Sequence, residues 1–291
     1  EEFHGKAINI SLPSLRIDAF ALDVMSKVQD VKKSSLTFAP EAGSQRLRDV
    51  INKGLTEEVI LHGAGEAFKG GWNQVKLYFM LGLPTETEDD MKGIAHLAQK
   101  IAETYYEVVP KEQRKGKVQI NVSTSFFVPK PFTPFQWEPQ DTIPVLHEKQ
   151  QHIKDSITTR KIQFNYHDAD TSYLEAVFAR GDRKLCKVME LACERGFHFD
   201  GWNDCFSLEK WLELFDECGV DPSFYANRHR SFDEILPWDH IDYGVTKDFL
   251  IRECKKAYAD TTTPHCRLKC NNCGAAKYGK GVCFEKRKNM V

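Results

Sequence analysis

Val75-Lys76-Leu77-Tyr78-Phe79-Met80-Leu81-Gly82-Leu83-Pro84-Thr85-Glu86-Thr87-Glu88 reads as a strand, a turn and a helix start in one short run. Val75 to Leu81 is almost continuously apolar, the pattern of a strand covered on both faces. Gly82 and Pro84 end it. Thr85 and Glu88 form a capping box, in which a hydroxyl and a carboxylate satisfy N–H groups at a helix start. Behind it, Met91, Ile94, Ala98, Ile101, Tyr105 and Val108 step by three and four, as the core-facing stripe of a long helix does. Strand, tight turn and amphipathic helix in succession are the repeating unit of a parallel α/β fold.

The same unit recurs on either side. Upstream, Ser35-Leu36-Thr37-Phe38 predicts a strand, Pro40 to Gly43 a turn, and Ser44 to Asn52 a helix stopped by Gly54. Thr56-Glu57-Glu58 opens a further helix, with a hydroxyl cap and early carboxylates at its N-terminus. Ala7 to Ile10 reads as a short strand, followed by a helix over Asp18 to Asp30. Downstream, Val118 to Phe127 is another strand, ending in the proline-rich run Val128 to Phe135. About four such units amount to roughly half of an eight-stranded barrel. The other half is expected in earlier strands of a longer parent chain, because an open barrel leaves a strand edge to be covered. From Lys161 helical segments dominate, around Tyr173 to Arg195 and Leu208 to Cys218. The expected organisation is α/β: the C-terminal half of a partial (β/α) barrel over 1–160, a mainly helical accessory region over 161–262, and a Cys-rich tail over 263–291.

With 40 Lys and Arg against 42 Asp and Glu, the overall charge makes no case for nucleic acid or an anionic membrane. No apolar run approaches the length of a membrane span. The nine cysteines are unevenly placed: none precedes Cys186, and four fall between Cys266 and Cys283. An odd count with a tight terminal cluster points to a cytoplasmic chain with free thiols and a metal site, not to a disulfide framework.

In parallel α/β folds ligands gather at the C-terminal ends of the strands. Three loops expected there mix Gly or Pro with hydroxyls and charge: Ser11 to Asp18, Ala39 to Arg48, and Gly82 to Thr87. They also carry a resemblance. Glu41-Ala42-Gly43-Ser44, with Leu47, Ile51, Asn52-Lys53-Gly54 and Thr56, resembles the fifth-strand motif of radical S-adenosylmethionine (SAM) enzymes. The branch is the one that contains methylthiotransferases and cobalamin-binding members. Gly82 to Thr87 with Asp89 and Asp90 resembles that branch's sixth-strand motif, and Pro13-Ser14-Leu15-Arg16-Ile17-Asp18 its fourth. The three stand in order over about residues 1–130. Val128 to Trp137 and Trp238 to Val245 resemble an uncharacterised subgroup often joined to an N-terminal cobalamin-type domain.

The resemblance implies a SAM site in which Arg16 holds the carboxylate by a bidentate contact and Ser14 supports the ribose or carboxylate. Glu41 and Ser44 would contact the ribose or methionine portion, and Leu81 and Gly82 would line the adenine. The plainer alternative is that Arg16 pairs with a helix carboxylate, Glu41 caps a helix and the glycines serve turns. The resemblance also implies a radical-generating [4Fe-4S] cluster on a C-x3-C-x2-C loop after the first barrel strand, and cobalamin in the parent. Here the sequence departs from the family, since no cysteine precedes Cys186; by itself this chain is not expected to cleave SAM. The substrate is not legible.

Cys266, Cys270 and Cys273 have cluster spacing at the far end of the chain, and Cys283 supplies a fourth ligand. Four thiolates suit either Zn²⁺ or a [4Fe-4S] cluster. Cys-Asn-Asn-Cys-Gly also resembles a zinc knuckle. That gives a competing reading: a binding module contacting RNA or a partner protein through Lys269, Lys277, Lys280, Lys286, Arg287 and Lys288. Cys186, Cys193, Cys205, Cys218 and Cys254 are expected to be buried thiols, and Trp202, Trp211 and Trp238 core anchors. His167-Asp168-Ala169-Asp170 and His240-Ile241-Asp242 are candidate polar sites, or residues that satisfy buried backbone.

Overall fold

The computed structural model describes residues 36–114, 116–266 and 268–278. Ser14, Arg16 and the whole Ser11 to Asp18 loop, the strand expected at Ala7 to Ile10, and Cys283 lie outside the described residues. The chain divides into two compact units, with 126–147 and everything from 168 onward in the second.

The first unit holds a four-stranded sheet in the order β1 (Leu36–Glu41), β2 (Gln74–Leu81), β3 (Gln119–Phe126), β4 (Ile162–Tyr166). β1 pairs with β2, and β3 with β4, in parallel. This is the α/β architecture expected from the sequence. β2 buries Val75, Leu77, Phe79 and Leu81 almost completely, while Lys76, Tyr78 and Met80 are half-buried. The apolar run is therefore fully covered on one face only. β4 was not foreseen, because its residues fall where helix was expected. Ile162-Gln163-Phe164-Asn165-Tyr166 nonetheless alternates apolar and polar, which is strand period.

Between β1 and β2 lie α1 (Gln45–Val50) and α2 (Glu57–Lys69); between β2 and β3 lies α3 (Glu88–Val108). Ser44 and Thr56 cap α1 and α2, each accepting an N–H three residues on. The stripe of α3 is buried at Met91, Ile94, Ala98, Ile101 and Tyr105, while Val108 at its end is only partly buried. The ring of Tyr105 meets Phe68 of α2 edge-on at 5.3 Å. The start of α3 differs from the expectation. Its cap is Thr87 and its box partner Asp90, two residues beyond Thr85 and Glu88. Thr85 has φ 67°, a left-handed conformation, whereas N-cap residues are typically extended, as Thr87 is at φ -117°.

α4 (Ile143–Ser156) precedes β4. The second unit is largely helical: α5 (Ala169–Ala179), α6 (Leu185–Glu194), α7 (Leu208–Glu217), α8 (Ser223–Ala226) and α9 (Lys247–Tyr258). One core collects Tyr173, Val177, Val188, Trp211, Leu214, Phe215 and Tyr225; a smaller one holds Trp137, Leu236, Trp238 and Leu250. Arg180 and Arg230 are buried alongside. Arg180 donates to the carbonyls of Ala226 and Arg228 at 2.7 and 2.9 Å, and Arg230 to that of Arg180 at 2.7 Å. The Ala226 carbonyl also accepts the Gln140 N–H at 2.9 Å, so the two guanidiniums help satisfy buried backbone acceptors.

Two expectations for this region are corrected. Trp211 and Trp238 are core residues, but Trp202 is 68% exposed. Cys186, Cys193 and Cys205 are exposed, Cys218 is partly so, and only Cys254 is buried. Cys186 and Cys193 share one face of α6 as their spacing requires, but it is the outward face, because Val188 and Ala192 supply the inward one. No helix among the described residues is long and apolar enough to cross a membrane.

Candidate functional site

The loops that follow β1 and β2 meet. β1 ends in a bulge: Phe38 pairs with Leu77, but Glu41 pairs with Phe79, so β1 carries an extra residue there. Pro40 sits within it, where its missing N–H costs no ladder bond. Glu41 then turns with φ 67°, and Gly82 at the end of β2 has φ 81°. With Thr85, that places three left-handed residues at the C-terminal ends of two adjacent strands, and for the two non-glycines the conformation is costly. Such conformations collect where a fold presents backbone to a ligand.

A polar network holds them. Ser44 Oγ accepts the Leu47 N–H at 3.0 Å and donates to the Asp90 carboxylate. Asp90 also receives the Arg46 guanidinium and, at 2.8 Å, both the N–H and the hydroxyl of Thr87. Arg46 reaches on to Thr85, donating to its hydroxyl at 3.1 Å and its carbonyl at 2.8 Å. One guanidinium thus ties the β1 loop, the β2 loop and the α3 N-terminus together. The Asp90 side chain is 3% exposed. Burial pushes its carboxyl pKa up, but hydrogen bonds from Arg46, Ser44 and Thr87 outweigh that and hold it below the ordinary value.

Two further contacts shape the same loops. Arg48, fully buried, donates to the carbonyls of Ala42 at 3.0 Å, Gly43 at 3.3 Å and Leu55 at 3.0 Å. The Glu86 carboxylate, 2% exposed, accepts the Gly82 N–H at 2.8 Å and pairs with Lys149 of α4 at 2.8 Å. That bond sets the Gly82 backbone from below.

The residues singled out in the sequence are distributed as follows. Glu41 pairs with Lys53 at 3.0 Å. Ser44 is engaged as helix cap and Asp90 partner. The Leu81 side chain is fully buried, and Gly82 is turned by Glu86. All four stand at the joined loop ends. Arg46, Asp90, Glu86 and Lys149 were given no role from sequence. Arg46 and Asp90 stood inside the quoted motifs, but nothing in linear text shows that residues more than forty apart share one ion pair. Lys149 carried no signal.

In the second unit, Cys266 and Cys270 are exposed and Cys273 is partly so. Among the described residues no three His, Cys, Asp or Glu side chains converge as a metal site. The backbone that carries the thiols is anchored. The Cys273 carbonyl accepts the Thr246 N–H at 2.9 Å, and Arg252 of α9 donates to the Asn271 carbonyl at 2.6 Å. Asn272 and Gly274 have positive φ, 52° and 94°, on either side of Cys273. The donor set is soft sulfur at the surface, which matches Zn²⁺ or an iron–sulfur cluster in chemistry.

The other polar candidates serve local structure. Asp168 caps α5, accepting the Thr171 N–H at 2.8 Å, and the N–H of His167 goes to the Thr124 carbonyl at 2.9 Å. Asp242 pairs with Lys277 and accepts the Gly244 N–H at 3.0 Å. The Cys254 thiol is pushed up to about 12 by burial, with the adjacent Glu138 carboxylate adding to it.

No family model matches the chain. It is 33% identical over 213 residues to an uncharacterized protein of Methanocaldococcus jannaschii, a match that takes in 73% of this chain and 44% of that protein. The chain thus spans less than half the length of this relative.

Proposed function

We propose that this chain is part of a radical SAM enzyme and that the joined loops after β1 and β2 form one wall of its SAM site. The observation that supports this most is the meeting of Glu41–Ser44 and Gly82–Thr87 at the C-terminal strand ends, with left-handed backbone at Glu41, Gly82 and Thr85. These are the segments whose wording resembles the family's fifth- and sixth-strand motifs. On this reading the parallel sheet belongs to a partial (β/α) barrel. The loops would bind through backbone as much as side chain: Glu41 is balanced by Lys53, and glycine at position 82 adds no side chain to keep a ligand off the main chain. Arg46 and Asp90 are positioning residues that hold the two loops in register.

The cluster that the resemblance implies would supply an electron to SAM when bound, and cobalamin in the parent would supply a methyl carrier. The family's cluster ligands are not among this chain's residues before Cys186. What these residues would do is bind and orient SAM, with Arg16 on its carboxylate.

Calorimetric titration of SAM into the parent protein tests the reading. Arg16→Ala is expected to weaken binding about ten- to a hundredfold, the worth of a charge-assisted contact of roughly 1.5–3 kcal/mol. Unchanged affinity in Arg16→Ala, or no SAM binding by the parent, overturns it.

A second reading rests on the tail. Its backbone is tied to α9 while its thiols stay at the surface, as a docked zinc knuckle would be. A zinc-only tail would favour a module that contacts RNA or a protein partner.

A further inference from the structure

The connection between α6 and α7 in the second unit is built against the usual logic of burial. Phe199 is 75% exposed and Trp202 68% exposed, two of the largest apolar side chains in the chain. Large aromatic rings in a connection ordinarily fold back onto the core. Here the backbone prevents it. Phe199 has φ 63°, a conformation that a bulky residue adopts only under constraint. A turn is closed from the Trp202 N–H to the Phe199 carbonyl at 2.8 Å, and the Trp202 carbonyl accepts the N–H groups of Cys205 and Phe206 at 2.9 and 3.1 Å. Between the two rings, the Asp200 carboxylate accepts the indole N–H of Trp211 at 3.1 Å, and Trp211 is a core residue. The loop is pinned inward at Asp200 and carries its aromatics outward on either side.

The connection and the two helices it joins are acidic in sequence. From Leu185 to Asp221 there are nine Asp and Glu against three Lys and Arg, whereas the whole chain is nearly balanced at 42 against 40. Of the three cations, Arg195 is engaged by Glu217. On the adjoining α6, Met189 adds an exposed apolar side chain at 53%.

We propose that this face binds a Lys/Arg-rich segment of a partner polypeptide. Guanidinium or ammonium groups stack on Trp202 and Phe199, and their charge is met by the acidic residues around the loop. Cation–π contact gives the exposed rings and the acidic sequence around them one common ligand, since ring faces and carboxylates attract the same cation. The acidic field repels nucleic acid and anionic membranes, which leaves a basic polypeptide as the complementary macromolecule.

The test uses the 291-residue chain and a fluorescein-labelled octa-arginine peptide, read by anisotropy, with octa-glutamate as the control. Octa-arginine should bind, octa-glutamate should not, and rising salt should weaken binding. Trp202→Ala should weaken it about three- to fivefold, the effect of one exposed cation–π contact. Phe199→Gly should act in the same direction; it removes the ring and suits the left-handed backbone, so folding is not at risk, and circular dichroism checks this. Asp204→Asn with Glu194→Gln should weaken binding and flatten its salt dependence. Three results overturn the proposal: no octa-arginine binding, binding that the Trp202→Ala/Phe199→Gly pair leaves unchanged, or sedimentation showing that the pair turns a dimer into a monomer. The last would make this face a contact between copies of the chain.

Discussion

At Gly43 a hydrogen is all that fits. A Cβ there would lie 2.3 Å from both the Asp90 carbonyl oxygen and the Ile94 amide nitrogen, and one on Gly93 would lie 2.8 Å from the Gly43 carbonyl carbon. Both obstacles are backbone and cannot swing aside. Gly43→Ala must therefore push the β1 loop off α3. The expected loss is at least the roughly 1–3 kcal/mol of an overpacked core, visible as a lower urea midpoint, with SAM affinity in the parent falling as well. Asp90 gives a pH-dependent prediction. Its carboxyl is held below its ordinary value of 3.8 despite burial, so the folded state binds its proton less readily than the unfolded chain. A carboxylate depressed in this way adds stability at neutral pH, and that stability is lost as pH falls through the folded-state value. Asp90→Asn should lower stability at neutral pH by about 1–3 kcal/mol, the worth of buried charged hydrogen bonds. Denaturation curves from about pH 5 down to about pH 2 should then be flatter than for the unsubstituted chain. Equal pH dependence in both would remove Asp90 from the network.

Among the elements, α3 shows where local text and tertiary context part. Thr85-x-x-Glu88 and Thr87-x-x-Asp90 are both acceptable capping boxes on paper. Arg46 decides between them: by binding the hydroxyl and carbonyl of Thr85 it holds that residue in the turn, so the helix starts after Thr87. Thr87→Ala should cost about 1 kcal/mol, and Glu88→Gln, at a solvent-exposed first-turn position, about 0.3 kcal/mol or less. Thermal denaturation of the two variants separates the registers; a larger loss for Glu88→Gln would restore the sequence-based one. β4 is the converse. Its alternation was present in the text, but five residues between charged and helical stretches gave no length to argue from. Pairing with β3 from Ile120–Ile162 to Thr124–Tyr166 is what makes them a strand.

For the whole molecule, the tail carries the remaining prediction. It has few apolar residues with which to build a core; hydrogen bonds anchor its backbone, but convergence of its thiols should depend on metal. Anaerobically purified chain should contain about one metal centre, lost in Cys270→Ser and Cys273→Ser, with iron and sulfide marking a cluster and zinc alone the knuckle. If neither metal is found and the tail cysteines all react freely with a thiol reagent in the native chain, the site does not exist. The sequence by itself determined the class of fold, the stripe of α3, the cap at Thr56 and the loops worth watching. All of these depend on periodicity and on hydrogen bonds that span three or four residues. Only the tertiary structure decided that Arg46 and Asp90 join two of those loops, that Glu86 and Lys149 set Gly82, and that Trp202 faces water while Trp211 does not. These depend on which distant residues become neighbours. A side chain's partner across a sheet, or its absence from the core, is fixed by packing, and packing leaves no mark in the local order of residues.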